Sequence, residues 1–524
     1  MFSSKQESIS LQIALFATGC AGIVAEFVLS TLATYLIGNT ILQWTIVMSL
    51  MLFAMGVGSR ISRFFKNNLL DSFILIEFLL SILCSISAIM SYGYANITVD
   101  VGLPIYDQSF YTSIVIYTQA FIIGALIGLE IPLVTRLNEE YDELRTNISN
   151  VMEKDYYGSL LGGILFAFVA LPFLGLTYTP IVLGAVNFFV ASLLILKFYK
   201  LLIKRKLIVF SFCLTLTLFI TIIFSADFII KSGEQSRYKD KIVYSKQTKF
   251  QKIVITKWKK YFWLFINGQE QFSTFDEIKY HEPLVHPAMM LSSNIENILI
   301  LGGGDGLAVR EILKHSHVKS IKMVDLDPVM TDLAKNHPVL KKVNQSSMHS
   351  NKITVINSDA SLFLENNDEK FGVIIIDLPD PDTVDLMHVY SLKFYKKLKK
   401  RLIKGGVIVT QATSPFFSRK AFLCINKTFI KAGFKTLPYH NHIPTMGEWG
   451  WIISVRDEDY GKNLKKLISK INFNNLETRY INNDSIISMI NFGKEDINDK
   501  DIKVNTEINP VLYKYYLEGS WGIY

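Results

Sequence analysis

Acidic residues follow several apolar runs in the second half of the chain. The run Ile298–Leu301 leads into a glycine-rich turn that contains Asp305, and the run Ile321–Asp325 ends on its own aspartate. The run Phe371–Ile376 is followed directly by Asp377. Carboxylates can hold ammonium groups and can accept protons from them. The residue types therefore predict an anionic site for a cationic ligand.

These apolar runs have the composition of buried strands. A further run, Ile353–Asn357, is followed by Asp359-Ala360, and the residues after the glycine turn, Ala308–His315, have helical composition. In an open α/β sheet the carboxyl ends of parallel strands meet at one crevice, where nucleosides bind. A glycine cluster after a strand can also be a simple turn, but the acids at successive strand ends favour a ligand site. We therefore expect an α/β domain that binds a cationic nucleoside.

The motifs from Tyr238 to the C-terminus resemble the spermidine synthase (polyamine aminopropyltransferase) family. The matching sequences are KFQKIVI at 249–255, YHE at 280–282, GGGDG at 302–306, VDLDP at 324–328, SDA at 358–360, IIDLPDP at 375–381 and QATSPFFSRKAF at 411–422. The resemblance implies a Rossmann-like, methyltransferase-type catalytic domain with a C-terminal tail over residues 283–524. It also implies a linker and a small antiparallel β domain over residues 231–282, with the linker at Lys231–Lys241.

This resemblance assigns an activity and roles. It implies transfer of an aminopropyl group from decarboxylated S-adenosylmethionine, a co-substrate, to putrescine, which gives spermidine and methylthioadenosine without a further cofactor. The expected base is Asp377. The residues expected to hold the polyamine are His281, Asp305 and Asp380. The residues expected to hold the donor are Gln251 and Asp325 at the ribose, and Asp359 with Ala360 at the adenine.

The chemistry of amines explains why carboxylates are needed. Free aliphatic amines have a pKa of about 10, so the acceptor arrives protonated and one end must lose a proton before it attacks. Asp305 lies in the glycine turn, where its charge would repel a donor carboxylate and attract an aminopropyl ammonium. The negative charge of Asp305 therefore favours aminopropyl transfer over methyl transfer by an enzyme of the same fold. The third alternative is a membrane transporter or sensor whose second half only binds polyamine.

The sequence departs from the family pattern at several positions. Asp325 stands where glutamate is usual, and Ala360 stands where glycine is common. After Asp380-Pro381 the acids Asp382 and Asp385 replace a Gly-Pro element. These acids select a longer or more cationic acceptor, or they are surface charges. Near the closing strand, Glu448 and Trp449 could cover the acceptor, although a buried tryptophan more often packs in a core.

The first half of the chain has the composition of a membrane protein. Seven long apolar stretches precede residue 227, and most reach the roughly 17–25 residues that span a bilayer as helix. We therefore expect a bundle of about seven membrane-spanning helices over residues 1–230. The stretches are Leu11–Ile37, Ile41–Ser59, Leu69–Tyr92, Phe110–Val134, Gly158–Leu176, Pro180–Leu196 and Leu207–Ala226. The pairs Gly124/Gly128 and Gly158/Gly162 have the spacing of close helix contacts.

Three acids occur within or near the ends of these apolar stretches. Glu26, Glu77 and Glu130 would be costly in lipid, and intramembrane acids are functional candidates. One hypothesis is that they line a path for polyamines or other cations. The alternative is that they cap helices or pair with arginines such as Arg60 and Arg136.

Charge and cysteine content limit the remaining possibilities. The net charge of +8 comes from basic residues beside the apolar stretches, which indicates membrane anchoring rather than nucleic-acid binding. The positive-inside rule puts the N-terminus in the cytoplasm, and seven crossings would then put the second half outside. A donor made in the cytoplasm favours a cytoplasmic catalytic half. The four isolated cysteines predict no metal site and no disulfide framework. The resemblance implies a homodimer or homotetramer.

Overall fold

The chain forms two compact units in the computed structural model, Met1–Lys241 and Ile242–Tyr524. The structure describes residues 4–38, 40–100, 105–139, 143–235, 237–456, 463–494, 497 and 501–521. In the first unit the described residues form the helices α1 (Ser4–Ile37), α2 (Thr40–Ile61), α3 (Leu69–Asp100), α4 (Ile105–Asn138), α5 (Leu144–Leu165), α6 (Gly175–Phe198) and α7 (Arg205–Gln235). A π-helical stretch, Phe166–Leu174, follows α5.

All seven helices are long and apolar enough to cross a membrane, judged by length and composition over the described residues. The predicted helical bundle of about seven segments is therefore confirmed. The predicted close contacts at glycines are also confirmed. A Cβ at Gly128 of α4 would lie 2.1 Å from the carbonyl oxygen of Met55, and one at Gly158 of α5 would lie 2.1 Å from that of Phe16. Only a residue without a side chain allows these helix backbones to approach so closely.

The end of α7 lies beyond the last apolar stretch. The helix continues to Gln235, whereas the linker was predicted to begin at Lys231. The change from apolar to charged residues marks the end of the hydrophobic segment, and the backbone hydrogen bonds of the helix continue for another turn. The predicted linker is therefore helical in its first residues.

A small antiparallel sheet opens the second unit. Its strands are β1 (Lys241–Gln247), β2 (Lys252–Trp258), β3 (Tyr261–Ile266) and β4 (Gln269–Ser273), paired in sequence order. The turn between β3 and β4 contains Asn267 and Gly268, both with positive φ, as the Asn-Gly signal predicts. β4 was not predicted, because its residues are mostly polar. Ile253, Leu264 and Phe272 form the buried face of this sheet.

A seven-stranded mixed sheet forms the core of the second unit. After the small sheet, the helices and strands of this unit are, in chain order, α8 (Ile278–Leu291), β5 (Asn297–Gly302), α9 (Leu307–Leu313), β6 (Ser320–Asp325), α10 (Pro328–Asn336), α11 (Pro338–Val343), β7 (Ile353–Asn357), α12 (Ala360–Asn366), β8 (Phe371–Asp377), α13 (Leu392–Arg401), β9 (Leu402–Gln411), α14 (Arg419–Lys431), β10 (Phe434–Ile443), β11 (Gly447–Arg456), α15 (Leu464–Ile468), α16 (Asn483–Met489) and α17 (Leu512–Leu517). The boundary predicted between residues 282 and 283 falls inside α8.

The strand order explains why the acidic ends meet. The sheet runs β10-β11-β9-β8-β5-β6-β7, and β9, β8, β5, β6 and β7 are parallel neighbours. The pairing places Gly302 opposite Asp377 and Asp325 opposite Asn357. The predicted Rossmann-like sheet is confirmed. Strand β10 was not predicted, because polar residues interrupt its apolar pattern.

Candidate active site

The glycine turn after β5 lies against the end of β8. The backbone N–H of Gly303 donates to the carbonyl oxygen of Asp377 at 2.9 Å. Gly302 has φ +82°, and a Cβ there would lie 2.1 Å from the same oxygen. The turn therefore needs glycine for two reasons, the positive φ and the close approach. Its position brings the loop that carries Asp305 next to Asp377.

Asp377 is fixed by a hydroxyl from α8. The Oη of Tyr280 donates to Asp377 Oδ1 at 2.7 Å, and a Cβ at Gly303 would lie 3.3 Å from Oδ2. Burial and the charge of Asp305 raise the pKa of Asp377 to about 6, although His281 and the Tyr280 hydrogen bond act in the opposite direction. The carboxylate thus has one oxygen bonded to the protein and one beside the glycine turn.

Asp305 shares this crevice. Its Oδ1 accepts a hydrogen bond from the N–H of Leu307 at 2.8 Å, at the start of α9. Burial raises the pKa of Asp305, while the charge of His281 and the Leu307 hydrogen bond lower it. The charges of Asp305 and Asp377 each act on the other and on His281. The structure therefore brings these three predicted residues together.

The protonation of His281 follows from its contacts. Its Nδ1 lies 2.9 Å from the carbonyl oxygen of Glu277 and 3.1 Å from its Oε2. Both atoms are acceptors, so Nδ1 carries the proton and, in the neutral ring, Nε2 is the acceptor. Burial by itself lowers the pKa of His281, but the hydrogen bond to Glu277 and the charge of Asp305 raise it to about 8.

Two positioning residues were missed by the sequence analysis. Glu277 holds His281, and Arg310 donates to both carboxylate oxygens of Glu277 at 2.8 Å. Glu277 precedes His281 by four residues, which is one helical turn, and this spacing is the signal that could have found it. Arg310 is far from both in the sequence, and no local pattern connects it to them.

Asp380 is held by the tail and by β9. Tyr516 donates its hydroxyl to Asp380 Oδ2 at 2.9 Å, and Gln411 Nε2 donates to Oδ1 at 3.3 Å. Asp380 is buried, and burial raises its pKa to about 7, while the bonds from Tyr516 and Gln411 lower it. Neither partner is assigned a role by the sequence motifs, although QATSP contains Gln411.

The candidate ribose residues lie at the end of β6. Asp325 Oδ1 accepts from the N–H of Asp327 at 2.9 Å, and burial raises the pKa of Asp325 to about 6. Gln251 immediately precedes β2. Its N–H donates to Thr248 Oγ1 at 3.0 Å, and that hydroxyl donates to Asp327 Oδ2 at 2.8 Å. This chain of hydrogen bonds fixes the backbone of Gln251 to the end of β6.

The candidate adenine residues begin α12. Asp359 Oδ1 accepts from the N–H of Leu362 at 2.8 Å, and Oδ2 lies 3.0 Å from His388 Nε2. Burial raises the pKa of Asp359, but the contact with His388 outweighs this and lowers it below its ordinary value. Ala360 is the buried first residue of α12. The N–H of Ser358 donates to the carbonyl oxygen of Asp325 at 3.1 Å, so the adenine and ribose candidates are adjacent.

The remaining residues that the sequence singled out, Glu448, Trp449, Asp382 and Asp385, have other contacts than the candidate residues above. Glu448 contacts His440 on the neighbouring strand β10, so its expected closure over the acceptor is not supported. Trp449 is buried, with its ring 6.5 Å from that of Tyr280. Asp382 accepts from Gln269 of β4 at 2.9 Å, whereas Asp385 is exposed.

One buried group among the described residues has the composition of a metal site, namely Glu282, His286 and Glu311. Glu282 accepts hydrogen bonds from three consecutive N–H groups at residues 479–481. Glu311 accepts from His286 at 3.0 Å and from Arg310 and Lys314, both at 2.7 Å. These carboxylates are already neutralised by donors of the chain. The group therefore forms a structural network between α8, which carries Glu282 and His286, and α9, which carries Glu311.

Comparison with known proteins adds three findings. Residues 277–466 match the family model described as the spermine/spermidine synthase domain. The chain is 40% identical over 514 residues to polyamine aminopropyltransferase 2 of Aquifex aeolicus, covering 97% of this chain and 98% of the relative. It is 37% identical to the polyamine aminopropyltransferase of Leptospira interrogans, covering 98% and 99%. A solved spermidine synthase from Thermotoga maritima aligns with TM-score 0.42 and 23% identity, over 49% of this chain and 87% of that one.

Proposed function

We propose that this chain, which belongs to the polyamine aminopropyltransferase family, transfers an aminopropyl group from decarboxylated S-adenosylmethionine to putrescine. The products are spermidine and methylthioadenosine. The observation that carries the proposal is the crevice that His281 of α8 shares with Asp377 and Asp305, which lie at and after the ends of two parallel strands. Family membership does not favour the methyltransferase or the binding-only alternative.

The acceptor diamine is a dication, and the crevice offers acceptors for both of its ends. Asp380 holds the ammonium near β9, with its carboxylate oriented by Tyr516 and Gln411. When its ring is neutral, His281 accepts a hydrogen bond at Nε2 from an N–H of the amine, because its other nitrogen donates to Glu277. Asp305 supplies negative charge for the aminopropyl ammonium of the donor. Each group thus has a cationic counterpart on one of the two substrates.

The chemical step joins nitrogen to carbon and releases a thioether. The neutral amine attacks the methylene bonded to the sulfonium, the carbon–sulfur bond breaks, and its electron pair goes to sulfur. Before the attack, Asp377 accepts one proton from the acceptor ammonium through the oxygen that Tyr280 does not occupy, and the new secondary amine leaves the step as an ammonium. The raised pKa of Asp377, about 6, makes it a stronger base than an ordinary aspartate. Positioning of the amine beside the reacting methylene also lowers the activation free energy.

The donor nucleoside would lie along the ends of β6 and β7. Asp325 and Gln251 hold the ribose hydroxyls, and Asp359 with Ala360 holds the adenine. The glycine loop supports this arrangement, since a Cβ at Gly304 would lie 2.5 Å from Asp325 Oδ2. The loop backbone is thereby in contact with Asp325, which offsets the missing methylene of this shorter acid.

The first unit anchors the enzyme in the cell membrane as a multi-pass helical bundle. Its seven apolar helices support this proposal. We place the catalytic unit in the cytoplasm, where the donor is made, and we expect a homodimer or homotetramer. Labelling of a C-terminal tag in intact and in permeabilised cells tests on which side of the membrane the catalytic unit lies. Labelling of the tag in intact cells would contradict the cytoplasmic placement.

The assay of the activity uses the detergent-solubilised full chain. With decarboxylated donor and putrescine, the wild type should release methylthioadenosine, and Asp377→Asn should lower kcat by about 10²–10⁴-fold, the usual contribution of a general base. The control is Asp385→Asn, which removes an exposed acid after the same strand and should leave kcat unchanged. Release of S-adenosylhomocysteine from the carboxylated donor would replace the proposal with methyl transfer.

A further inference from the structure

Two glutamates are buried in the helical unit with oxygens that lack partners. Glu77 of α3 is 0% exposed, and neither of its carboxylate oxygens has a hydrogen-bond partner among the described residues. Glu130 of α4 is 2% exposed, and its Oε1 also lacks a partner there. The two carboxylates repel each other electrostatically. Burying such groups without compensation is costly, so a cationic or proton-donating species must accompany them.

Arginine does not provide this compensation. Arg136 donates to the carbonyl oxygens of Ser62 and Phe65 at 2.8 Å and to that of Pro132 at 3.2 Å. Each of its three guanidinium nitrogens thus donates to backbone, and no pairing of Arg136 with the three acids is observed among the described residues. The interfacial alternative for these acids loses its main support.

Further buried atoms without partners share one chemical property. Within the described part of the helical unit they include Ser30 Oγ on α1, Ser81 Oγ on α3, Gln119 Oε1 on α4 and Asn187 Oδ1 on α6. All are oxygens that can accept hydrogen bonds, as are those of the two glutamates. A ligand that satisfies them must therefore be rich in N–H or O–H donors and must carry positive charge.

These acceptors are distributed along the helices. Glu77 and Ser81 are one turn apart on α3, whereas Glu130 and Gln119 are eleven residues apart on α4, about 16 Å at 1.5 Å per residue. Asn187 is three residues from Gly184, where a Cβ would lie 2.4 Å from the carbonyl oxygen of Ser81. One inorganic ion cannot contact groups spread over such a length. A linear chain with several amines can.

A partly exposed apolar groove adjoins Gln119, one end of this series of acceptors. A cavity of about 200 Å³ lies between α3 and α4, and its walls include Gln119 together with Leu83, Ile122 and Ile123. Apolar walls beside a polar acceptor suit a molecule that alternates methylene segments with amines.

We propose that the helical unit binds a linear alkyl polyammonium, with one ammonium at Glu77 and Glu130 and further N–H groups donating to Ser81 and Gln119. This site is separate from the crevice of the second unit. It rests on the helical unit alone and does not depend on aminopropyl transfer.

The test counts binding sites on the full chain in detergent. Asp380→Asn is the background, because it weakens acceptor binding in the crevice. Equilibrium dialysis with labelled spermidine should give one saturable site per chain in this background, and adding Glu77→Gln and Glu130→Gln together should weaken that site at least tenfold. The matched control adds Glu153→Gln, a helical-unit glutamate that already pairs with Lys154 at 2.8 Å, and should leave binding unchanged.

Three outcomes would overturn the proposal. Equal spermidine binding with and without the paired glutamate substitutions would show that they do not form the site. If spermidine binds at no site beyond the crevice, Glu77 and Glu130 form a protonated carboxyl pair that needs no ligand. Binding of ²²Na⁺ instead of spermidine, lost in the same variants, would indicate an inorganic cation. Methylthioadenosine formation by Glu77→Gln/Glu130→Gln in the wild-type background should remain normal, so failure of the binding proposal is distinguishable from failure of the enzymatic one.

Discussion

At the scale of single residues, the charges of the crevice are set by burial and by one another. Asp377 and Asp380 have pKa values raised to about 6 and about 7, chiefly because burial disfavours the carboxylate. His281 has a pKa raised to about 8, since the acids around it outweigh its own burial. Each of these groups therefore changes charge near neutral pH, where an amine substrate is cationic.

His281 should make acceptor binding dependent on pH. Below its pKa of about 8 the ring is an imidazolium, which repels an ammonium and has no acceptor nitrogen. As pH rises through this value the neutral ring accepts from the amine, and its fraction grows from about one eleventh to one half, so KM for the diamine should fall about fivefold from pH 7 to pH 8. His281→Gln cannot titrate, and its KM should lack this inflection.

The control for this profile is His442→Gln, because His442 is an exposed histidine of the same unit. Its KM should follow the wild-type curve. A profile of His281→Gln that keeps the inflection would assign the titration to another group.

At the scale of secondary structure, one turn and one helix position the reacting groups. The turn after β5 uses the positive φ of Gly302 to approach the backbone of Asp377. Helix α8 carries Tyr280 and His281 into the same crevice, and it includes Pro283 and Pro287 without ending. The candidate base therefore depends on the geometry of elements that are separate in sequence.

Substitution of Gly302 by alanine should displace the base. The added Cβ would lie 2.1 Å from the carbonyl oxygen of Asp377, and a shift on the order of 1 Å at a reacting group can lower the rate about 100-fold. Gly302→Ala should therefore show a kcat reduced by about that factor, measured as methylthioadenosine release.

The control variant Gly268→Ala separates the effect of backbone strain from the effect of a steric contact with Asp377. Gly268 has φ +85° and has no atom within 4 Å of its Cβ position. Left-handed backbone costs an alanine about 1–2 kcal/mol, which should lower the unfolding midpoint of either variant. Only Gly302→Ala should lose activity. Equal losses of activity would mean that strain, and not contact with Asp377, is responsible.

At the scale of the whole molecule, the C-terminal tail contacts Asp380, the proposed acceptor-binding residue. Helix α17 packs Leu512 and Tyr516 into the core beside the sheet, and the Tyr516 hydroxyl reaches Asp380. Asn505 anchors the tail through donations to the carbonyl oxygens of Met387 and Tyr390. The tail is thereby part of the catalytic unit.

Loss of the Tyr516 hydroxyl should weaken acceptor binding. A hydrogen bond to a charged group contributes about 1.5–3 kcal/mol, and without it the pKa of Asp380 should rise further above about 7. More of the acid is then neutral at pH 7, so Tyr516→Phe should raise KM for putrescine about tenfold or more with a smaller effect on kcat. Tyr513→Phe, in the same helix, should have a wild-type KM. An unchanged KM in Tyr516→Phe would remove the tail from the site.

The sequence by itself determined the parts of this protein that local patterns encode. Long runs of apolar residues specify the seven helices, because a helix that is apolar along its whole length must place that surface against other helices or against lipid. The parallel strands and the acids after them follow from short motifs, and parallel topology alone brings such ends to one crevice. Asp377 and Asp305 could therefore be placed together before any coordinates.

Only the tertiary structure decided which groups hold these acids. Tyr516 and Asp380 are 136 positions apart, and Arg310 and Glu277 are 33 apart, so no periodicity within one element connects them. The same holds for Glu77 and Glu130, which are buried with three carboxylate oxygens that lack hydrogen-bond partners among the described residues, because this depends on how separate helices pack. Hydrogen bonds between side chains act over about 3 Å, and the fold alone sets such distances between remote segments.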